Sequence, residues 1–213
     1  MAAEVKICGL TRPEDAAAAA TSGADYLGVV FASGPRVVSA VQARSIAAAG
    51  GGRPVLGVFG GQTPDEILRL RDAGGLAGAQ LHGSHVAADA ARLRAEGMLV
   101  WRVVRMHDEA DLARLDELWE ADAVLVEPRL SHAEGGAGVA LALALARAAR
   151  ARLTGRRMVL AGGLTPDTVG AAVGLVAPDV VDVSSGVEML PGIKDPSRLL
   201  RFVEAARGRS AVP

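Results

Sequence analysis

Short apolar runs alternate along the chain with longer segments of helical character. Eight such runs, rich in Val, Leu and Ile, recur at a nearly constant spacing and predict strands at residues 5–7, 26–31, 54–59, 78–81, 99–103, 123–126, 158–161 and 180–183. Regular alternation of strands and helices indicates parallel β-α units. Eight units in 213 residues predict a closed (β/α)8 TIM barrel with eight parallel strands. A doubly wound open sheet is the alternative.

The predicted helix starts agree with this count of units. Thr11 and Thr63 are each followed three residues later by glutamate, Glu14 and Glu66, which is a capping-box pattern. Thr165 precedes a third such start. Glycines stand where three helices should stop, at Gly23, Gly74 and Gly97. No linker or composition break interrupts the pattern, so we expect residues 1–213 to form a single domain.

Composition and charge narrow the possible functions. The chain has 23 basic and 24 acidic residues, which leaves no basic patch for nucleic acid and no polybasic membrane signal. The N-terminal residues lack the charged and apolar regions of a signal peptide. A single cysteine is typical of a reducing compartment. We therefore expect a cytoplasmic protein that binds neither nucleic acid nor membranes.

The single cysteine, Cys8, stands at the end of the first predicted strand. It has no partner for a disulfide, and no second cysteine is present for a thiolate metal cage. Strand parity places Lys6 and Cys8 on the same face. Most free cysteines are small buried hydrophobic groups. A neighbouring ammonium, however, favours the thiolate, so we expect Lys6 to lower the pKa of Cys8.

Further polar residues end other predicted strands. Gln80 and His82 share a face at the end of the fourth strand, Glu127 ends the sixth and Asp182 lies in the eighth. In a parallel barrel the active site lies at the C-terminal ends of the strands. Because burying polar groups without a purpose costs free energy, we predict that these residues and Cys8 converge on one mouth.

Glycine and serine follow the last two predicted strands. Glycine lets the backbone approach an anion, and loops after strands seven and eight often bind phosphate in this fold. We therefore predict a phosphate site formed by Gly162, Gly163, Ser184, Ser185 and Gly186.

Several of these segments belong to longer blocks that occur in order along nearly the whole chain. They are residues 6–16, 28–31, 35–36, 57–59, 80–83, 160–166, 182–188 and 192–195. Together they resemble the phosphoribosylanthranilate isomerases of tryptophan biosynthesis, which are (β/α)8 barrels. The first and last blocks are specific to that family rather than generic to barrels.

The resemblance implies an Amadori rearrangement of N-(5'-phosphoribosyl)anthranilate, without cofactor or metal. It implies Cys8 as general base, Glu127 as general acid, and Arg36 as the residue that receives the anthranilate carboxylate, for which a guanidinium fork is well shaped. The predicted partner is a small phosphosugar-arylamine substrate, and the chain is expected to be a monomer or a homodimer. The predicted substrate-binding residues are Lys6, Arg36, Gln80, His82 and Asp182.

Two departures from the family pattern keep alternatives open. The family usually has Asp where this chain has Glu127, and a proton donor misplaced by about 1 Å can cost about a hundredfold in rate. The segment 139–142 lacks the family's Phe-Asp-Trp anchor after the glycine loop 135–138. We favour the standard reaction. The alternatives are a paralogue acting on another N-glycosylated arylamine phosphate and a non-catalytic phosphate-ligand binder. A sugar-phosphate isomerase of histidine biosynthesis would need a pair of aspartates, and Cys8 takes the place of one.

The remaining residues of interest have structural interpretations. Trp101 and Trp119 are predicted to pack in the core. Arg102 and Arg105 end the fifth strand and face either the mouth or solvent. Three histidines without metal-ligand spacing are predicted to lie in surface loops: His85, His107 and His132.

Overall fold

Eight parallel strands close into one barrel in chain order. A computed structural model describes residues 2–129 and 141–208. The strands are β1 (Glu4–Ile7), β2 (Tyr26–Val30), β3 (Val55–Phe59), β4 (Gly78–Leu81), β5 (Leu99–Met106), β6 (Ala123–Pro128), β7 (Met158–Leu160) and β8 (Val180–Val183). The predicted closed barrel is confirmed. The open sheet is excluded because β1 pairs with both β2 and β8.

The strands are connected by helices on the outside of the barrel. These are α1 (Pro13–Thr21), α2 (Ala40–Ala49), α3 (Pro64–Gly74), α4 (Ala87–Ala95), α5 (Leu143–Arg152), α6 (Val169–Val176) and α7 (Pro196–Ala206). A 3-10 segment, Glu109–Asp116, stands between β5 and β6. An antiparallel hairpin of β9 (Glu188–Leu190) and β10 (Ile193–Lys194) separates β8 from α7. None of the helices in the described part of the chain has the length and apolar character of a membrane span.

Alternating side chains divide the core into two layers. One faces the helices. The other fills the barrel interior and consists of Leu56, Trp101, Ala123, Leu125, Val159, Ala161 and Val180. Trp101 packs edge-on against Tyr26 in this inner layer, with ring centroids 5.1 Å apart. Trp119 packs against the outer layer, under the guanidinium of Arg102. The packing roles predicted for both tryptophans are confirmed.

Only one of the three predicted helix starts has the expected cap. Thr63 accepts from the backbone N–H of Glu66, and the Glu66 carboxylate accepts from the N–H of Thr63. The prediction for Thr11 is wrong: its hydroxyl donates to the carbonyl of Gly192 at 2.6 Å, and Arg12 precedes α1 instead. The Thr11 hydroxyl therefore bonds to the turn between β9 and β10 and does not cap α1.

The third start is also displaced. Thr165 donates its backbone N–H to the hydroxyl of Thr168, which forms a turn, and α6 begins only at Val169. Gly23 and Gly97 follow helix ends with φ of +95° and +80°, as predicted. Gly74 is the last residue of α3, and Gly75 takes the left-handed conformation that ends it.

Candidate active site

Lys6 and Cys8 lie side by side at the end of β1, as strand parity predicts. The Lys6 side chain is fully buried, and its Nζ donates to Asp182 Oδ1 at 2.9 Å across the β1–β8 pair. Cys8 continues the pairing through its N–H, which donates to the Val183 carbonyl at 2.8 Å. A Cβ on Gly28 of β2 would lie 2.9 Å from both Cys8 Sγ and Lys6 Nζ. Glycine at that position therefore leaves room for the thiol and the ammonium together.

The electrostatics of Cys8 differ from the expectation. Burial raises the pKa of the Cys8 thiol, and the charges of Lys6 and Lys194 oppose this without reversing it. Burial also disfavours the Lys6 ammonium, but Asp182 and Cys8 together outweigh it and raise the pKa of Lys6. The predicted lowering of the Cys8 pKa is therefore wrong, because desolvation exceeds the attraction of the ammonium. Burial and the ammonium of Lys6 thus act on the pKa of Cys8 in opposite directions, and burial is the larger effect.

Glu127 at the end of β6 is paired with an arginine. Its Oε1 accepts from Arg105 Nε at 2.8 Å and lies 3.5 Å from His82 Nδ1. β5 and β6 set this pair because Arg105 and Glu127 are direct cross-strand partners. Asp182, which is predicted to lie at the same mouth, makes its ion pair with Lys6. The structure thus gives Glu127 a cationic partner.

The two arginines of β5 point in opposite directions. Arg105 faces the mouth through its bonds to Glu127 and His82. Arg102 faces the outer layer, where it is 3% exposed and bonds to the Glu117 carboxylate and the Arg114 carbonyl. Of the two arginines of β5, Arg105 is therefore the one that can contact a ligand in the site.

Gln80 and His82 form a bonded pair at the end of β4. Gln80 Nε2 lies 2.8 Å from His82 Nε2, and Gln80 Oε1 is buried without a hydrogen-bond partner among the described residues. Burial, reinforced by the charges of Arg105 and Lys6, lowers the pKa of His82 from 6.5 to about 3. His82 is therefore a neutral imidazole at physiological pH. An amide and a neutral ring facing the mouth are suited to contacts with hydroxyl groups.

The loops after β7 and β8 pack closely through glycine. Gly162 and Gly163 have φ of +96° and +63°, and a Cβ on Gly162 would overlap the ring of Pro128. A Cβ on Gly186 would overlap the carbonyl oxygen of Leu164 in the neighbouring loop. Ser185 and Gly186 belong to a short 3-10 turn. The Ser184 hydroxyl is buried and has no partner in the described ranges. This geometry fits the predicted phosphate site, whose occupancy stays a prediction.

Arg36 reaches the mouth from the loop after β2. Its Nε and Nη2 donate to the two carboxylate oxygens of Glu188 at 2.8 and 2.7 Å, and Lys194 Nζ donates to Glu188 Oε1 at 2.8 Å. Glu188 and Lys194 are both buried. Sequence reasoning missed these two residues. Both lie in blocks that carry the family resemblance, but no spacing rule predicts their pairing with Arg36.

The histidines without metal-ligand spacing have three different outcomes. His107 is exposed as predicted. His85 lies in the loop before α4 as predicted, but its side chain is only 5% exposed and lies 3.4 Å from the Asp89 carboxylate of α4. His132 and the glycine loop 135–138 lie outside the described residues.

A closed eight-stranded barrel with buried polar groups at the C-terminal strand ends is the architecture of a (β/α)8-barrel enzyme. Residues 5–205 match the family model for N-(5'-phosphoribosyl)anthranilate isomerase. The isomerase of Rubrobacter xylanophilus is 39% identical over 208 residues, covering 96% of this chain and 99% of that protein. The isomerase of Pseudomonas aeruginosa is 40% identical over 214 residues, covering 98% and 97%. The chain belongs to the N-(5'-phosphoribosyl)anthranilate isomerase family, an enzyme family.

Solved structures agree with this placement. The Thermotoga maritima phosphoribosyl anthranilate isomerase superposes with a TM-score of 0.87 at 36% identity, covering 97% of this chain and 99% of that one. A phosphoribosyl anthranilate isomerase in complex with reduced 1-(o-carboxyphenylamino)-1-deoxyribulose 5-phosphate superposes at 0.84 and 34% identity, covering 97% and 99%. The family resemblance seen in the sequence is confirmed.

Proposed function

We propose that this chain converts N-(5'-phosphoribosyl)anthranilate into 1-(2-carboxyphenylamino)-1-deoxyribulose 5-phosphate in tryptophan biosynthesis. Family membership over residues 5–205 supports the reaction. The observation that carries it is the buried Cys8–Lys6–Asp182 cluster at the barrel mouth. A related isomerase has been solved with a reduced form of this product. We also propose a cytoplasmic location, and a monomer or a homodimer as the assembly.

The reaction needs an acid and a base in sequence. In our proposal Glu127 protonates the furanose ring oxygen, the C1'–O bond breaks and the ring opens to an iminium. Cys8, as thiolate, then removes the proton from C2', and the resulting enolamine tautomerises to the ketone. An acid and a base held in separate environments suit this chemistry.

The raised pKa of Cys8 sets a condition on this mechanism. The thiol must release its proton to solvent before it can accept one from C2', and burial opposes that loss. Lys6 stays charged beside the sulfur and reduces the cost of the thiolate. The iminium formed in the first step adds a further positive charge near Cys8, which favours the thiolate at the moment when it is needed.

A similar condition applies to Glu127, the proposed general acid. Its carboxylate accepts from Arg105 Nε at 2.8 Å, so this oxygen is occupied before the substrate binds. In our proposal the substrate displaces this pair, so that Glu127 can carry the proton to the ring oxygen. The Arg105 pair is also the observation that favours the second candidate, an enzyme of the same family reshaped around glutamate for another arylamine phosphate.

The remaining residues bind the two ends of the substrate. We propose that Arg36 receives the anthranilate carboxylate, while Lys6, Gln80, His82 and Asp182 line the sugar. The phosphate would lie against backbone N–H groups of the loops after β7 and β8. The residues assigned to it are Gly162, Gly163, Ser184, Ser185 and Gly186.

The direct test is fluorescence-monitored turnover of freshly made phosphoribosylanthranilate by the purified protein. Cys8→Ser should keep the fold and substrate affinity but lose a factor on the order of 10² to 10⁴ in kcat, because a hydroxyl is a far weaker base. Substrate binding without turnover in the wild type would identify a binder. Near-full kcat in Cys8→Ser would reduce Cys8 to a packing residue.

A further inference from the structure

Glu188 is the centre of a buried ion network that sequence reasoning did not find. Its Oε2 accepts from Arg36 Nη2, and its Oε1 accepts from Arg36 Nε, from Lys194 Nζ and from the N–H of Gly192. The residue is only 7% exposed. Burial disfavours its charge, but Arg36 and Lys194 outweigh this and lower the pKa of Glu188. Glu188 is therefore a fixed, saturated carboxylate next to the proposed substrate pocket.

This network controls which edge of Arg36 faces the pocket. A guanidinium has two edges that can bind a carboxylate with paired hydrogen bonds, Nε with Nη2 and Nη1 with Nη2. Glu188 occupies the first edge. Nothing in residues 2–129 or 141–208 bonds to Nη1 of Arg36. The second edge is therefore the one left for a ligand.

The aliphatic part of the Arg36 side chain is also closely packed. A Cβ on Gly9, which has φ of +70°, would lie 2.5 Å from Arg36 Cδ and 2.6 Å from Ser184 Oγ. Arg36 thus crosses directly over the residue that follows Cys8. The same network reaches the phosphate loop, because Lys194 Nζ also donates to the Ser184 carbonyl at 3.1 Å.

We propose that Glu188 is a positioning residue that fixes the Nη1–Nη2 edge of Arg36 toward the carboxylate of the arylamine, and so sets the enzyme's preference for a carboxylated ring. This rests on the proposed function, in which Arg36 binds that carboxylate. The recognised group is a planar aryl carboxylate ortho to the substituted nitrogen. A ring without the carboxylate gains nothing from the oriented edge.

The test compares two ligands rather than two activities. One is reduced 1-(o-carboxyphenylamino)-1-deoxyribulose 5-phosphate, and the other is the same compound without its carboxylate. Calorimetry gives the ratio of their Kd values for wild type, Glu188→Gln and the exposed control Glu120→Gln. An amide has only one accepting oxygen, so Glu188→Gln cannot keep the fork in which Arg36 Nε and Nη2 each donate to a separate oxygen, and it should reduce the preference for the carboxylated ligand by about tenfold or more.

A purely structural role of Glu188 makes a different prediction. Loss of the hairpin or of the Ser184 contact would weaken both ligands equally and leave the ratio unchanged, which would overturn the proposal. If Glu188→Gln unfolds because Lys194 is left unpaired, Glu188→Gln with Lys194→Met removes both charges and should lose the preference in the same way. Failure of wild type to bind either ligand would refute the proposed function itself, whereas binding with an unchanged ratio refutes only the role of Glu188.

Discussion

The neutral histidine at the mouth gives a prediction that does not depend on the proposed reaction. His82 is shielded from water and lies beside two cations, which lowers its pKa from 6.5 to about 3. The unfolded chain binds a proton at this residue at a higher pH than the folded chain does. Stability should therefore be complete above pH 6.5 and should fall as the pH drops toward the folded pKa.

The magnitude follows from the two pKa values. Lowering the pH from about 7.5 to about 5 charges the unfolded histidine but not the folded one, and linkage then costs about 2 kcal/mol. The result hardly changes if the folded pKa is about 4 rather than about 3, because both values lie below the final pH. The measurement therefore tests whether burial lowers the pKa of His82, and it does not depend on the exact folded pKa.

Two measurements check this prediction. In histidine-labelled protein the His82 ring resonance should not titrate between about pH 5 and about pH 8. His82→Gln should lose about 2 kcal/mol less unfolding free energy than wild type over the same pH step, and His107→Gln should behave like wild type. Normal titration of His82, or equal losses in both variants, would show that our account of its surroundings is wrong.

Three further predictions concern the proposed chemistry. Burial raises the pKa of Cys8. The value of kcat/KM and the rate of iodoacetamide alkylation should therefore both continue to rise with pH beyond the range of an ordinary cysteine. A plateau of either quantity at neutral pH would contradict this. Glu127→Gln should lower kcat on the order of 10² to 10⁴ while binding persists. Glu127→Asp should match or exceed wild type on phosphoribosylanthranilate if the site merely tolerates glutamate, and fall below it if the site is reshaped; activity only in the variant would favour the altered-substrate candidate. Gly163→Val and Gly186→Val should raise KM strongly in folded protein, and unchanged KM in both would exclude this phosphate site.

The barrel was predictable because its signal is repeated. Eight strand-like runs with helical segments between them specify the topology even when individual boundaries shift by a residue or two. Contacts between residues that are close in sequence were equally predictable. Thr63 and Glu66, for example, form the cap of α3 and lie within one helical turn. The predicted cap at Thr11 is wrong because the Thr11 hydroxyl donates to the carbonyl of Gly192, which is 181 residues away along the chain. That residues 1–213 form one domain stays a prediction.

The site was predictable in position but not in electrostatics. Strand parity alone places Lys6 beside Cys8 and brings Asp182 to the same mouth. The direction of the Cys8 pKa depends on how completely the thiol is desolvated, and that is a property of the closed barrel. Arg36 and Glu188 are 152 residues apart, and no periodicity relates them.

The pairing of charges at the mouth has a consequence for phosphate binding. Each cation described there is already committed to a carboxylate, in the pairs Lys6–Asp182, Arg105–Glu127, Arg36–Glu188 and Lys194–Glu188. Displacing Lys6 would leave Asp182 unpaired, and displacing Arg36 or Lys194 would leave the buried Glu188 with one cation instead of two, which costs free energy in a buried site. The anion is therefore better served by backbone N–H groups at Gly162, Gly163 and Gly186, which carry no competing partner charge. On this argument glycine, rather than lysine or arginine, is the residue that the phosphate end of the site requires.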